Sequence, residues 1–128
     1  MSEIPDYLKY TEAHVWCEIT DEGLLRAGIT DFAQSELGDI VYIELPEEDR
    51  RYNAGDECAV VESVKSASDI YCPVSGEIVE VNRELEDEPE KINSDPYQDG
   101  WLFLLKPDNE EDLDKLLDAD RYSELTDN

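Results

Sequence analysis

Short apolar stretches alternate with turn-forming residues along most of the chain. Asp21, Glu22 and Gly23 separate the first two stretches, which predicts a β-hairpin. In residues 39–45, Ile40, Tyr42 and Glu44 alternate with Val41, Ile43 and Leu45, the pattern of a half-buried strand. The predicted strands are HVWCEI (14–19), LLRAGI (24–29), DIVYIEL (39–45), ECAVVES (57–63), SASDIYC (66–72), EIVEVN (77–82) and WLFLL (101–105). Short strands with frequent turns indicate an all-β sandwich or barrel.

Two segments carry helix signals instead. Thr30 can cap a short helix over TDFAQSEL, with Asp31 in its first turn and Gly38 just past its end. Near the C-terminus, NEEDLDKLLDADRYSEL (109–125) begins with a capping Asn109 and predicts an amphipathic helical segment. The stretch between the last two strands, residues 83–100, is acidic and contains Pro89 and Pro96. It therefore reads as a long excursion over the surface.

The chain is strongly acidic. Its 128 residues include 35 acidic and 10 basic ones, for a formal net charge of −25. Such a surface repels phosphate backbones and anionic lipids, which argues against nucleic acid or membranes as partners. A solvated surface, adaptation to a salty cytoplasm and docking to basic enzymes all remain compatible with this charge. The length fits one domain over residues 1–128.

The cysteines and the termini limit the class of protein further. Cys17, Cys58 and Cys72 are odd in number and show no metal-ligand spacing, so reduced buried thiols are expected and no metal site is predicted. The N-terminus lacks the pattern of a secretion signal, and no stretch has the length of a membrane span. We expect a cytoplasmic protein, or a mitochondrial matrix protein if a transit peptide has been removed.

A single lysine lies between two predicted strands. Lys65 has small neighbours at positions 63 and 66–68, which places an ε-amine at a hairpin tip that another protein's active site can close over. An ordinary surface lysine is the simplest interpretation. A Schiff-base amine needs a desolvated pocket, which these neighbours do not provide. Covalent attachment of a carrier group fits the position better.

Three segments carry a family resemblance. ESVKSASDIYCPVSGEIVEVN (62–82) closely resembles the lipoyl-attachment segment of the H proteins of the glycine cleavage system. The resemblance continues in AGITDFAQSELGDIVYIELPE (27–47) and in INSDPYQDGWLFLLKP (92–107). It implies a flattened barrel or sandwich of two antiparallel sheets, similar to lipoyl and biotinyl domains, with a short inserted helix and a C-terminal helix. The lipoyl-bearing hairpin is expected at about 58–82.

The resemblance also implies a function. Lys65 would carry lipoic acid in amide linkage, and the protein would be a carrier that catalyses no step by itself. It would take the aminomethyl group of glycine from glycine decarboxylase (P protein) to the aminomethyltransferase (T protein), and dihydrolipoamide dehydrogenase (L protein) would reoxidise the dithiol. A lipoate ligase, or an octanoyltransferase with lipoyl synthase, would install the group. The carrier is expected to be a monomer.

Such a shuttle needs a cleft that protects the loaded arm from water. The family pattern places Glu62, Ser66 and Asp69 beside Lys65, and Glu36, Leu37 and the segment around His14 near the cleft. His14 itself, on a strand beside Trp16, reads as structural.

One position departs from the family pattern. The family has an acid between the histidine and the tryptophan, where this chain has Val15. Glu12 is a possible substitute for that acid, although strand alternation does not fix its direction. The departure leaves open an alternative function, an H-like protein that donates or relays lipoyl groups to other enzymes.

Overall fold

The computed structural model describes residues 3–126. These residues form nine strands and four α-helices in chain order, with one 3₁₀ helix near the end of the described range. The strands are β1 (Lys9–Tyr10), β2 (Val15–Ile19), β3 (Leu25–Ile29), β4 (Ile40–Glu44), β5 (Arg51–Tyr52), β6 (Glu57–Ser63), β7 (Ala67–Tyr71), β8 (Gly76–Val81) and β9 (Phe103–Pro107). The helices are α1 (Asp31–Leu37), α2 (Glu84–Asp87), α3 (Lys91–Ser94), the 3₁₀ helix Glu110–Lys115 and α4 (Ala119–Thr126).

The strands make two antiparallel sheets. The large sheet has the order β1-β2-β3-β9-β8-β5, and the small sheet has the order β4-β6-β7. Apolar side chains from both sheets form one core, including Val15 and Leu25 from the large sheet and Ile43, Val61 and Ile70 from the small one. The predicted two-sheet sandwich with a short inserted helix and a C-terminal helix is thus confirmed. The segment 58–82 divides between the sheets, because β6 and β7 form the hairpin while β8 pairs with β9.

The three cysteines lie in this core, as expected for small apolar fillers. Cys17, Cys58 and Cys72 are all buried and free. Burial raises the pKa of the Cys17 thiol, so that this group stays protonated at neutral pH.

A second apolar cluster ties the ends of the chain to the large sheet. It contains Leu8, Tyr10, Trp16, Tyr97 and Tyr122. The rings of Tyr10 and Tyr122 are stacked with centroids 4.6 Å apart, and the Trp16 indole N–H donates to the Pro96 carbonyl at 2.8 Å. On the β3 side, the cross-strand partner of Trp16 is Gly28, where a Cβ would lie only 2.6 Å from the indole nitrogen. A side chain at that position would displace the tryptophan.

The acidic segment 83–100 is not a plain surface excursion, which corrects the sequence prediction. It contains α2 and α3, each one turn long. Leu85 from α2 and Ile92 from α3 are fully buried in the main core. Two isolated apolar residues among many charged ones give no helical periodicity, and for this reason the pattern concealed these anchors.

The C-terminal segment 109–125 is also not one continuous helix. Asn109 accepts a hydrogen bond from the Glu111 N–H, as a cap does, but it begins a 3₁₀ helix. The chain then extends so that Leu117 and Tyr10 exchange two backbone hydrogen bonds of 2.8 Å. The chain becomes helical again only at α4, which buries Tyr122. Pairing with β1 therefore overrides the local helical preference.

The strand prediction for residues 39–45 is correct, but its strict alternation is not. The pairing of β4 with β6 shifts register between Ile40 and Tyr42. Ile40 and Ile43 are buried, whereas Val41 and Tyr42 are both exposed. A β-bulge of this kind turns two successive side chains outward. The last predicted strand begins at Phe103, two residues late, and Trp101 is only partly buried.

Asn93 in α3 holds the junction between α1 and β4. Its Nδ2 donates to Gln34 Oε1 at 2.8 Å and to the Gly38 carbonyl at 2.9 Å. Its Oδ1 accepts from the Ile40 N–H at 2.8 Å. One side chain therefore satisfies the carbonyl of Gly38, where the helix ends, and the N–H of Ile40, where the small sheet begins.

We expect Asn93→Ala to lower the free energy of unfolding by about 1–3 kcal/mol, because it leaves the Ile40 N–H and the Gly38 carbonyl without this partner. Urea unfolding measures the change. Asn53→Ala is the matched control, since Asn53 is exposed, and it should shift stability by less than about 0.5 kcal/mol. Equal effects of the two substitutions would contradict a clamping role for Asn93.

Candidate functional site

The tip of the β6–β7 hairpin is a tight turn that Ser63 organises. The Ser63 N–H donates to the Ser66 carbonyl at 2.8 Å. The Ser63 hydroxyl oxygen accepts from the backbone N–H groups of Lys65 and Ser66, each at 3.1 Å. A serine that bonds to the amides two and three residues ahead replaces backbone partners that the turn leaves unpaired. The local sequence thus fixes the backbone on which Lys65 stands.

The tip is also attached to the rest of the fold. The Val64 N–H donates to the Asp39 carbonyl at 3.0 Å, so the turn is connected to the α1–β4 junction. Lys65 is exposed, and its Cε lies 3.1 Å from the point that a Cβ on Gly38 would occupy. Gly38 has φ 85°, a conformation that favours glycine. The lysine side chain therefore crosses bare backbone at the end of α1.

Lys65 is a free amine in the part of the chain that the structure describes. Ion pairs there join Arg26, Arg51, Arg83, Lys91 and Lys115 to carboxylates, and Lys65 is in none of them. Its side chain lies against the backbone of Gly38. The ε-amine is thus available to react with another molecule.

Glu36 and Leu37 lie at the same end of α1 as Lys65. Leu37 is half-buried and packs against the main core, which anchors the last turn of the helix. Glu36 is exposed, and its negative charge raises the pKa of His14 against the larger lowering effect of burial. Glu36 and Leu37 directly precede Gly38, whose backbone the Lys65 side chain crosses.

His14 does not lie on a strand, contrary to the sequence prediction. β2 begins at Val15, and His14 precedes it with φ 67° in a turn closed by the His14 N–H and the Thr11 carbonyl. His14 Nδ1 lies 2.8 Å from the Tyr122 hydroxyl oxygen, which lies 2.7 Å from Thr30 Oγ1.

These contacts have a clear role. Burial raises the pKa of Tyr122 to about 12, so its hydroxyl keeps a proton to donate. His14 thus anchors the start of α1 to α4, which is the structural role expected for it.

Val15 faces the interior. Its side chain is fully buried in the main core, whereas a residue that holds a charged adduct has to line a surface or cleft that the arm can reach. A carboxylate at this position would be desolvated, which is costly. The departure from the family pattern is therefore a core substitution in this chain and removes no group from the surface around Lys65.

The other predicted site residues divide between two places. Glu62, Ser66 and Asp69 are exposed on the hairpin that carries Lys65. Glu12 lies elsewhere, in a groove of about 510 Å³ whose lining also includes Lys115, Leu116 and the 71–75 turn. This groove lies at the end of β7 away from the tip. The direction of Glu12 is set by the turn over residues 11–14, so strand alternation does not apply to it.

Sequence reasoning missed three residues that position the lysine. Ser63 forms the turn, Gly38 leaves space beneath the side chain, and Asn93 clamps the junction to which the tip is bonded. The run of small residues around Lys65 in the sequence did indicate a tight turn, of which Ser63 is a part. Asn93 lies 28 residues beyond the lysine in sequence, and a half-buried asparagine in an acidic segment carries no local signal of such a role.

Two negative findings apply to residues 3–126. No group of three or more histidine, cysteine or acidic side chains there is arranged to hold a metal ion. In the same residues, no helix has the length and apolar character needed to cross a membrane.

Comparisons with known proteins agree with one another. A family model described as "Glycine cleavage H-protein" matches residues 8–128. The glycine cleavage system H protein of Alkalilimnicola ehrlichii is 54% identical over 125 residues, which cover 98% of this chain and 96% of that protein. The one from Pectobacterium atrosepticum is 56% identical over 122 residues, which cover 95% and 94%.

A solved structure matches as well. The crystal structure of a glycine cleavage system H protein from Mycobacterium marinum superimposes with a TM-score of 0.87 at 40% sequence identity, and the match covers 96% of this chain and 98% of that one. With the two-sheet sandwich and the lysine-bearing hairpin, these matches show that the chain belongs to the glycine cleavage H-protein family, the lipoyl-carrying shuttles of the glycine cleavage system.

Proposed function

We propose that Lys65 is the residue that carries the lipoyl group in this chain, through an amide bond at Nζ. The observation that carries this proposal is the combination of a free, exposed ε-amine with a backbone held in place on both sides. Val64 is bonded to Asp39, and Ser63 caps the turn itself. A long arm attached here would start from a fixed point and extend into solvent.

The residues present fit the group. Amide formation needs an accessible primary amine, and Lys65 supplies one that no carboxylate pairs with among residues 3–126. When bound, the lipoyl group supplies a dithiolane that takes up and releases the aminomethyl carbon of glycine. The protein supplies position and environment for that chemistry.

The chain's own contribution is to hold the lysine and to surround it with carboxylates. Glu36 at the end of α1 and Asp69 on β7 are the two we propose to face a loaded arm and to favour a cationic cargo. Glu62 and Ser66 border the attachment point. Glu12 is less suitable for direct contact with the arm, because its groove lies at the far end of β7. At a rise of about 3.3 Å per residue, the length of β7 places this groove roughly 16 Å from the tip.

We further propose that the protein is a non-catalytic, monomeric carrier. Its proposed partners are the P, T and L proteins of the system and the enzymes that install the lipoyl group, either a lipoate ligase or an octanoyltransferase with lipoyl synthase. The relatives compared are bacterial, which supports the bacterial cytoplasm as its location and gives no support to the mitochondrial option.

Intact-mass measurement tests the attachment site. Coexpression with a lipoate ligase in the presence of lipoate should add the mass of one lipoyl group to the wild type and nothing to Lys65→Arg, because arginine offers no acylable amine. Lys106→Arg is the control, since Lys106 is also exposed but lies within strand β9, and it should be modified like the wild type. A modified Lys65→Arg protein, or an unmodified wild type, would refute the assignment.

An exchange assay tests the place in glycine cleavage. Fully lipoylated protein mixed with glycine decarboxylase should support exchange between the carboxyl carbon of glycine and labelled bicarbonate, whereas the unlipoylated protein should not. Absence of exchange despite complete lipoylation would instead favour the lipoyl-relay function.

A further inference from the structure

Three large apolar side chains are exposed around the lysine. The exposed fractions are 55% for Val41, 51% for Tyr42 and 67% for Val64. The β-bulge in β4 exposes the first two, and the turn at the hairpin tip exposes the third. We call these three residues the tip patch. A bulge that turns two neighbouring apolar side chains into solvent lowers solubility, so its position beside the lysine indicates a use in recognition.

The register of the small sheet fixes where the tip patch lies. Tyr42, Glu62 and Ala67 are direct cross-strand partners and therefore share one row. Glu44, Val60 and Asp69 form the next row in the same way. Since neighbouring strands are about 4.8 Å apart, Tyr42 lies roughly 10 Å from the base of the Lys65 side chain.

The charge of this surface is of one sign. Residues 39–45 and 57–71 contain five acidic side chains and a single cation, Lys65. Glu44, Glu62 and Asp69, which belong to the two rows, are exposed. A partner that covers the tip patch therefore needs an apolar recess with basic residues around it. A second copy of this chain would bring the same acids together and is disfavoured.

The reach of the lysine distinguishes the possible partners. An extended lysine side chain spans only about 6 Å, and acylation with a lipoyl group roughly doubles that reach. An enzyme that acylates the bare amine must bring its active site to within that short distance, and must then press against the side chains flanking the tip. Enzymes that act on the finished arm can stand further away.

We propose that the tip patch is the docking surface for the enzyme that acylates Lys65, an enzyme with an apolar recess bordered by lysine or arginine. This inference rests on the proposed attachment at Lys65. Tyr42 is its central contact, because a large, half-exposed aromatic side chain is typical of energetic hot spots at interfaces. Glu44, Glu62 and Asp69 provide the charged rim.

The test uses the unlipoylated full chain, a purified ATP-dependent lipoate ligase, lipoate and ATP, with initial rates followed by intact mass. The double substitution Tyr42→Ser, Val64→Ser should raise the KM for the carrier by roughly tenfold, since losing about 1.4 kcal/mol of contact energy corresponds to that factor. The kcat for acylation of the double variant should change by a smaller factor than the KM. Ile19→Ser is the control, because Ile19 is 48% exposed at the end of β2 in the other sheet.

If the double variant has the KM of the wild type and the same thermal midpoint as the control, the docking proposal is refuted. The proposed attachment at Lys65 is unaffected by that result. Failure of the wild type to be acylated at Lys65 would overturn both proposals. A dimer in the wild type that becomes a monomer in the double variant, with acylation unchanged, would show a self-association surface and would also refute the docking proposal.

Discussion

The hydrogen bond from the Val64 N–H to the Asp39 carbonyl connects the lysine-bearing tip to the rest of the protein. A protruding two-stranded hairpin is marginally stable by itself. Here its tip is bonded to the α1–β4 junction, which Asn93 clamps from α3. The position of Lys65 thus depends on a residue that lies beyond the hairpin in sequence. It depends also on α1, which His14 and Tyr122 anchor at its start.

This arrangement suits a carrier. The lysine needs a fixed origin and a free end, and the structure provides both through a bonded backbone and an unobstructed side chain. The surrounding acids suit a cationic cargo and basic partners, and the large net charge keeps a surface with exposed valines and a tyrosine soluble. Rigidity near the backbone and exposure at the ε-amine therefore serve one purpose, which is the repeated presentation of the same group to different enzymes.

Much of the fold was predictable because its signals are local. The strand patterns, the Thr30 cap and the glycine after α1 each depend on a few neighbouring residues, and so does the placement of Lys65 between two strands. The remaining features depend on contacts between distant segments. Leu85 and Ile92 are buried only because α2 and α3 fold onto the core. The bulge in β4 depends on how that strand pairs with β6. The roles of Asn93 and Tyr122 follow from partners 50 or more residues away.

The tip is held rigidly before any group is attached, through the bonds of Ser63, Asp39 and Asn93. Backbone ¹⁵N relaxation of the unlipoylated protein measures this most directly, through the order parameters of residues 63–66. We expect order parameters close to those of the strands, about 0.85. Values below about 0.6 would mean a flexible loop, and would contradict the view that Ser63, Asp39 and Asn93 fix the position of Lys65.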